Sequence, residues 1–217
     1  MRDMHCHILP GVDDGARDLE ESFAMLAAAR AVGIDKIVCT PHCRDPYFDF
    51  DAMWAAFRQL KEAARMAFPD IALHMGFEVN HRRLMELGME HVDDLAFADS
   101  REFLLELGVH STPFDFSTYK RTIFEIQSRG YRVIISHPER YLAIQKDVEL
   151  ARDLVSMGCY LQASADFVAG GRLGAELKPA KRLLKEGLYT YFASDAHRPE
   201  HYAMLAKAYG KYGKYLA

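Results

Sequence analysis

The chain has 217 residues and half of them are hydrophobic, enough apolar material for the core of one large domain and too much for a disordered protein. With 27 Lys and Arg against 31 Asp and Glu the formal charge is -4, so there is no basic track for nucleic-acid phosphates. The sequence carries no signal-peptide pattern and no apolar run of bilayer length, so a cytoplasmic protein without membrane insertion is expected, with Cys6, Cys39, Cys43 and Cys159 reduced.

In chain order, residues 2–6 read as a first strand that closes in Asp3-Met4-His5-Cys6-His7. Two histidines at i, i+2 project the same way from a strand end, so both imidazoles can reach one metal ion. Residues 10–15 read as a turn-rich loop, and Asp18 with Glu21 as a capping box for a helix that stops at Gly33. A second strand, 36–40, delivers Pro41-His42-Cys43, and after an aromatic loop a long helix is expected over about 51–68. A third strand, 71–79, carries Gly76-Phe77-Glu78, and a fourth, 102–107, carries Glu106. Ser117 is expected to cap a helix ending at Gly130, after which strand 131–136 runs into His137-Pro138-Glu139-Arg140-Tyr141. Asp147 caps the next helix, which stops at Gly158; strand 159–164 follows, then a glycine-rich loop at Gly170-Gly171 and a helix to Gly187. The last strand, 188–194, delivers Asp195-Ala196-His197.

Seven short apolar strands separated by helical patterns predict an α/β fold with a parallel sheet and helical crossovers, in one domain over 1–217. Polar candidates follow almost every strand rather than one switch point, which favours a closed (β/α)7 TIM-like barrel over an open doubly wound sheet. In a barrel His5, His7, His42, Glu78, Glu106, His137, Asp195 and His197 converge on the C-terminal rim. Nitrogen and carboxylate donors without thiolate suit manganese, zinc or iron, and eight such groups exceed the needs of one ion, so two or three are expected.

Plainer readings stand beside these. Glu78 and Glu106 could each pair with Arg82 or Arg101 and Arg140 with Glu139 or a neighbour, while His42 and His137 could be ordinary loop histidines. Asp13 and Asp14 could shape a turn, although Asp14 is the preferred further ligand. His74, His81, His91, His110 and His201 lack comparable placement and are read as surface or supporting residues. A cysteine phosphatase loop needs an arginine six residues after its cysteine; the four cysteines here meet Val12, Asp45, Asp49 and Ala165 instead.

Asp3-x-His5-x-His7, the Val12-Asp13-Asp14-Gly15 loop, Glu78 after a glycine, His137-x-Glu139-Arg140-Tyr141 and Ser194-Asp195-x-His197 together resemble the polymerase-and-histidinol-phosphatase (PHP) superfamily. Within it the chain looks most similar to the bacterial manganese-dependent protein tyrosine phosphatases of capsule and exopolysaccharide operons. The resemblance implies a distorted (β/α)7 barrel with a trinuclear site. His5, His7, Glu78 and Asp195 would hold one ion, Glu78, Glu106 and His137 a second, and Asp14, His42 and His197 a third, with manganese first and iron or zinc as alternatives. It implies hydrolysis of phosphotyrosine on a bacterial tyrosine kinase tail by a metal-activated hydroxide, without a cysteine nucleophile, by a chain able to form a homo-oligomer. Arg140 would clamp the phosphate, and Arg198 is the nearest option for the family's second phosphate-binding arginine. Rival readings are a small-molecule phosphoesterase of the histidinol-phosphate phosphatase kind and a non-catalytic metal-binding module. Tyr47, Phe48, Phe50, Trp54 and Phe114 could stack on a phosphotyrosine ring or pack a loop, and Tyr209, Tyr212 and Tyr215 read as one side of a helix.

Overall fold

The computed structural model describes residues 1–170 and 174–216; Gly171, in the expected glycine-rich loop, lies outside them. Nine parallel strand segments alternate with helices: β1 (Arg2–Cys6), α1 (Leu19–Ala31), β2 (Lys36–Cys39), β3 (His42–Cys43), α2 (Phe50–Ala67), β4 (Ala72–Met75), β5 (Glu78–Asn80), α3 (His81–Leu87), α4 (Val92–Leu95), β6 (Glu102–Glu106), α5 (Asp115–Ser128), β7 (Arg132–Ser136), α6 (Leu142–Lys146), α7 (Glu149–Ser156), β8 (Tyr160–Ser164), α8 (Ala165–Ala169), α9 (Leu177–Lys185), β9 (Tyr191–Ala193) and α10 (His201–Tyr212). Three strands pair in the order β1-β2-β4 and six in the order β3-β5-β6-β7-β8-β9, every pairing parallel.

The strand expected over 71–79 is broken into β4 and β5, and the strand expected over 36–40, seen as β2, is followed past Pro41 by a further short segment, β3. Pro41 cannot donate to a ladder, and at the break between β4 and β5 only glycine fits, because a Cβ on Gly76 would fall 2.4 Å from the Phe97 ring. Backbone bonds carry the pairing past the breaks, from Thr40 N–H to Cys6 C=O, Gly76 N–H to Cys39 C=O and Glu78 N–H to Pro41 C=O. The sheet curls until its ends meet: Cys6 bridges Ala196, His7 N–H donates to Ala196 C=O and Asp195 N–H to His5 C=O. The result is a mixed α/β fold built on a curled parallel sheet.

One apolar core fills the space between helices and strands; a smaller one, Met4, Val38, Phe97, Leu104, Ile134 and Tyr191, takes residues from five different strands. Leu104 and Glu106 share a face of β6, so this small core forms a floor beneath the Glu106 carboxylate.

Helix ends follow the sequence at α1, where Asp18 accepts from Glu21 N–H and Glu21 reaches back to Arg17 N–H. Asp147 likewise accepts from Glu149 N–H at the start of α7. Ser117 does not cap α5. That helix begins at Asp115, whose carboxylate accepts from Thr112 N–H and Oγ1, and the Ser117 hydroxyl donates back to the Phe114 carbonyl. Tyr209 lies on α10 and donates its hydroxyl to Phe192 C=O, Tyr212 ends that helix, and Tyr215 sits in the following turn, about half exposed. Among the described residues no helix is long and apolar enough to cross a membrane.

Candidate metal centre

The nine residues expected as ligands come from seven chain segments and fall into three groups of mutually close donor atoms: His7, Asp14, His42 and His197; His5, His7 and Asp195; Glu78, Glu106 and His137. Glu78 lies at the centre. Its Oε1 is 2.8 Å from His137 Nε2 and 3.4 Å from His5 Nε2, and its Oε2 is 2.6 Å from His42 Nδ1 and 3.7 Å from His7 Nε2. The alternative pairings are absent: Arg82 binds Glu86, and Arg101 stacks over Tyr131.

Local structure aims each donor. A Cβ on Gly15 would stand 2.0 Å from the His7 carbonyl, so only glycine lets the 10–15 loop press on the end of β1. That approach lets Asp13 accept from His7 Nδ1 at 2.8 Å, His42 N–H and Gly15 N–H, while Asp14 Oδ1 lies 3.2 Å from His42 Nε2 and 3.4 Å from His197 Nε2. Asp13 thus stands behind a histidine and Asp14 among the donors. His5 Nδ1 donates to Gln162 Oε1 at 2.8 Å, an orientation fixed because Gln162 Nε2 donates to Ala163 C=O. His197 Nδ1 donates to Asp195 C=O, and His201 Nδ1 accepts the His197 N–H. Of the described residues other than glycine, His137 and Asp195 alone have positive φ, 30° and 49°; both are site residues, held in a strained conformation.

These partners decide the protonation pattern. With Nδ1 of His5 and His7 each donating to an oxygen, both Nε2 atoms present lone pairs, and they face each other at 3.2 Å with Asp195 Oδ1 3.5 Å from each. Those facing lone pairs repel unless a cation joins them, either a metal ion or, without one, the proton that the neighbouring carboxylates hold on His5. Burial opposes a charge on His5, but Glu78 and Asp195 overcome it and raise the imidazole to about 10; His42 is raised to about 9 against burial, mainly by Glu78. Burial likewise disfavours the Glu78 carboxylate, yet His5 and His42 hold it well below the usual range. His42 Nδ1, Glu78 Oε2 and His137 Nδ1 are buried without a well-formed hydrogen bond. Orphaned buried donors, facing lone pairs and an all-nitrogen-and-oxygen set fit divalent metal ions.

Arg140 stands at the mouth, one third exposed, with Nη1 3.7 Å from Asp195 Oδ2. It does not pair with Glu139, whose buried carboxylate accepts from Ser164 N–H and Tyr189 O–H at 2.8 Å each and so anchors the turn that carries Arg140. Arg198 uses Nη1 to donate to the carbonyls of Asp14, Gly15 and His197, clamping the Asp14 loop. Among the aromatic residues, Phe48 and Phe50 pack on Phe77 and Trp54 on Phe57, Tyr47 stacks 5.8 Å from the His42 ring, and Phe114 is 84% exposed. Burial pushes the Cys43 and Cys159 thiols up to about 12 and those of Cys6 and Cys39 higher, so none is a ready nucleophile.

Sequence reasoning missed Gln162, Asn80, which donates to Glu106 Oε2 at 3.0 Å, and Arg44, whose Nη2 lies 2.8 Å from His42 Nε2. The available signal was a polar residue inside or just after an apolar strand.

Comparison with known proteins gives the site a family. Tyrosine-protein phosphatase YwqE of Bacillus subtilis is 35% identical over 91% of this chain and 77% of its own length. Tyrosine-protein phosphatase CpsB of Streptococcus pneumoniae is 31% identical over 97% and 91%. A crystal structure from work on these two proteins, described as unique metal-dependent tyrosine phosphatases, superposes with a TM-score of 0.84 at 27% identity, covering 98% of this chain and 88% of that one. The family described as "Capsular polysaccharide synthesis, CpsB/CapC" matches residues 1–212, and the chain belongs to it.

Proposed function

We propose that this chain is a metal-dependent protein tyrosine phosphatase of capsular polysaccharide synthesis, which hydrolyses a phosphotyrosine to tyrosine and inorganic phosphate. The observation that carries the reading is Glu78, one buried carboxylate set against four imidazoles from β1, β3 and the end of β7. Around it the curled sheet is read as a distorted seven-unit barrel, in which each broken pair of segments counts as one strand.

On the family resemblance, His5, His7, Glu78 and Asp195, then Glu78, Glu106 and His137, then Asp14, His42 and His197 would hold two or three divalent ions, manganese in the first place; Glu78 is near enough to His5 and His7 to join the first set, and His7 also lies close to the third. When bound, such ions lower the pKa of water toward neutrality and neutralise phosphoryl oxygens. The chain's own residues do the rest. Gln162 and Asp13 fix the tautomers of His5 and His7, so that Nε2 of each faces the centre. Arg140 offers a planar pair of donors to the phosphate at the mouth, which lysine cannot match. Hydrogen bonds from His197 and His42 keep the Asp14 carboxyl well below its usual range, so it stays charged and does not serve as a proton donor near neutrality. No thiol takes part. A cytoplasmic tyrosine kinase tail is the substrate that the family resemblance favours.

The test is phosphate release from a phosphotyrosyl peptide and from histidinol phosphate by manganese-loaded protein, with a chelated control. Metal-dependent turnover that favours the peptide is expected. Preference for histidinol phosphate would move the chain to the small-molecule branch, and activity on neither would leave a non-catalytic metal module.

A further inference from the structure

Beside the metal centre, between β3 and α3, a cavity of about 240 Å³ is lined by Arg44, Asp45, Asn80, Arg82, Arg83 and Glu86. None of these residues is among the grouped metal donors, yet two touch them: Arg44 Nη2 lies 2.8 Å from His42 Nε2, and Asn80 Nδ2 donates to Glu106 Oε2. The cavity and the centre therefore share a wall.

Its charges do not cancel. Arg82 and Arg83 both reach Glu86, at 3.0 and 3.3 Å, and Arg83 Nη1 lies 3.7 Å from Asp45. Arg44 comes within 3.9 Å of Asp14, a carboxylate that belongs to the metal centre. Three guanidinium groups thus face two carboxylates of the cavity, leaving one positive charge. Two of the guanidiniums are preset: Arg44 lies over the Tyr47 ring at 5.8 Å and Arg83 over the Phe48 ring at 5.7 Å. The Nε atoms of both are buried without a hydrogen-bond partner in the structure. The Nε–H groups face inward, but the side chains are still 36% exposed at Arg44 and 26% at Arg83, and a planar guanidinium held in place with accessible donors is the geometry that receives a carboxylate.

We propose that this cavity is a specificity subsite for the carboxylate of an acidic residue flanking the phosphotyrosine. This rests on the tyrosine phosphatase reading. A monoanionic carboxylate matches the single uncompensated charge, whereas a dianionic phosphate would leave the cavity negative. An extended substrate advances about 3.5 Å per residue, so a side chain one or two places from the phosphotyrosine reaches across a shared wall.

The experiment uses manganese-loaded protein and phosphotyrosyl peptides carrying Glu or Gln at each of the two positions on either side of the phosphotyrosine. At one position or more, Glu is expected to raise kcat/KM about tenfold over Gln, chiefly through KM, as befits one charge-assisted hydrogen-bonded pair. The preference should shrink at high ionic strength and fall to near unity in Arg83→Gln, with bound metal measured in parallel. Should Arg83→Gln fail to fold, Arg82→Gln, on a side chain that is 89% exposed, gives the same comparison. Equal turnover of Glu and Gln peptides at every position, or a preference unchanged in these variants, overturns the subsite alone. Turnover of no peptide removes the tyrosine phosphatase reading and the subsite with it.

Discussion

Asp3 and Glu78 are both buried carboxylates near the C-terminal rim, yet their surroundings differ in kind. Asp3 accepts from Ser194 N–H at 2.9 Å and Ser194 Oγ at 2.5 Å, so the protein satisfies it, and burial leaves its carboxyl raised to about 6. Glu78 faces four imidazoles, is held well below its usual range, and keeps a buried oxygen without a well-formed hydrogen bond. Histidines divide in the same way. His5, between carboxylates, is raised to about 10, whereas burial lowers His81, packed on the Tyr119 ring and bonded to Thr122, to about 4. Burial alone therefore does not mark a site. A structural acid meets backbone N–H groups and hydroxyls; a ligand acid meets nitrogens that themselves need a cation.

The comparison breaks first at Glu78. Glu78→Gln removes the central charge, so metal content and peptide turnover should fall together, turnover by about 1000-fold or more, as read by metal analysis and phosphate release. If turnover persists, Glu78 is no different from Asp3. If the guanidinium serves phosphate as proposed, Arg140→Ala should lower kcat/KM by about 100-fold while bound metal stays at its wild-type level. Loss of metal in that variant would place Arg140 with the structural groups.

Ser194→Ala sharpens the other side. It deprives the buried Asp3 carboxylate of a donor and should cost about 1–3 kcal/mol in denaturant unfolding, with metal content per folded chain unchanged. The smallest effect concerns His81. Its folded pKa of about 4 lies below the ordinary imidazole value of 6.5, so the unfolded chain binds the extra proton first as pH falls. Stability from this group is full above 6.5 and is lost toward about 4, amounting to about 1 kcal/mol between pH 6.5 and 5.5. A His81→Gln variant should show a shallower acid slope in unfolding experiments; an unchanged slope would assign it to other groups.

Much of this was legible because strand ends and candidate ligands coincide: the apolar runs that predict β1, β6, β7 and β9 are the runs that deliver His5, Glu106, His137 and Asp195. Legibility failed where a role depends on a distant partner. Gln162 lies within the strand Tyr-Leu-Gln-Ala-Ser and gains its meaning only from His5, 157 positions away. Glu139 sits next to Arg140 in sequence but turns toward Ser164 and Tyr189. The strand breaks at Gly76, where the Phe97 ring leaves no room for a Cβ, and that distant ring cannot be read from 71–79.

The most direct measurement of the central claim is the number of manganese ions bound per chain at equilibrium, taken together with phosphate release from a phosphotyrosyl peptide as the metal is titrated. Three donor groups around one carboxylate predict two to three ions per chain and activity that rises with their occupancy. Binding of fewer than one ion per chain, or turnover indifferent to chelation, would contradict the account.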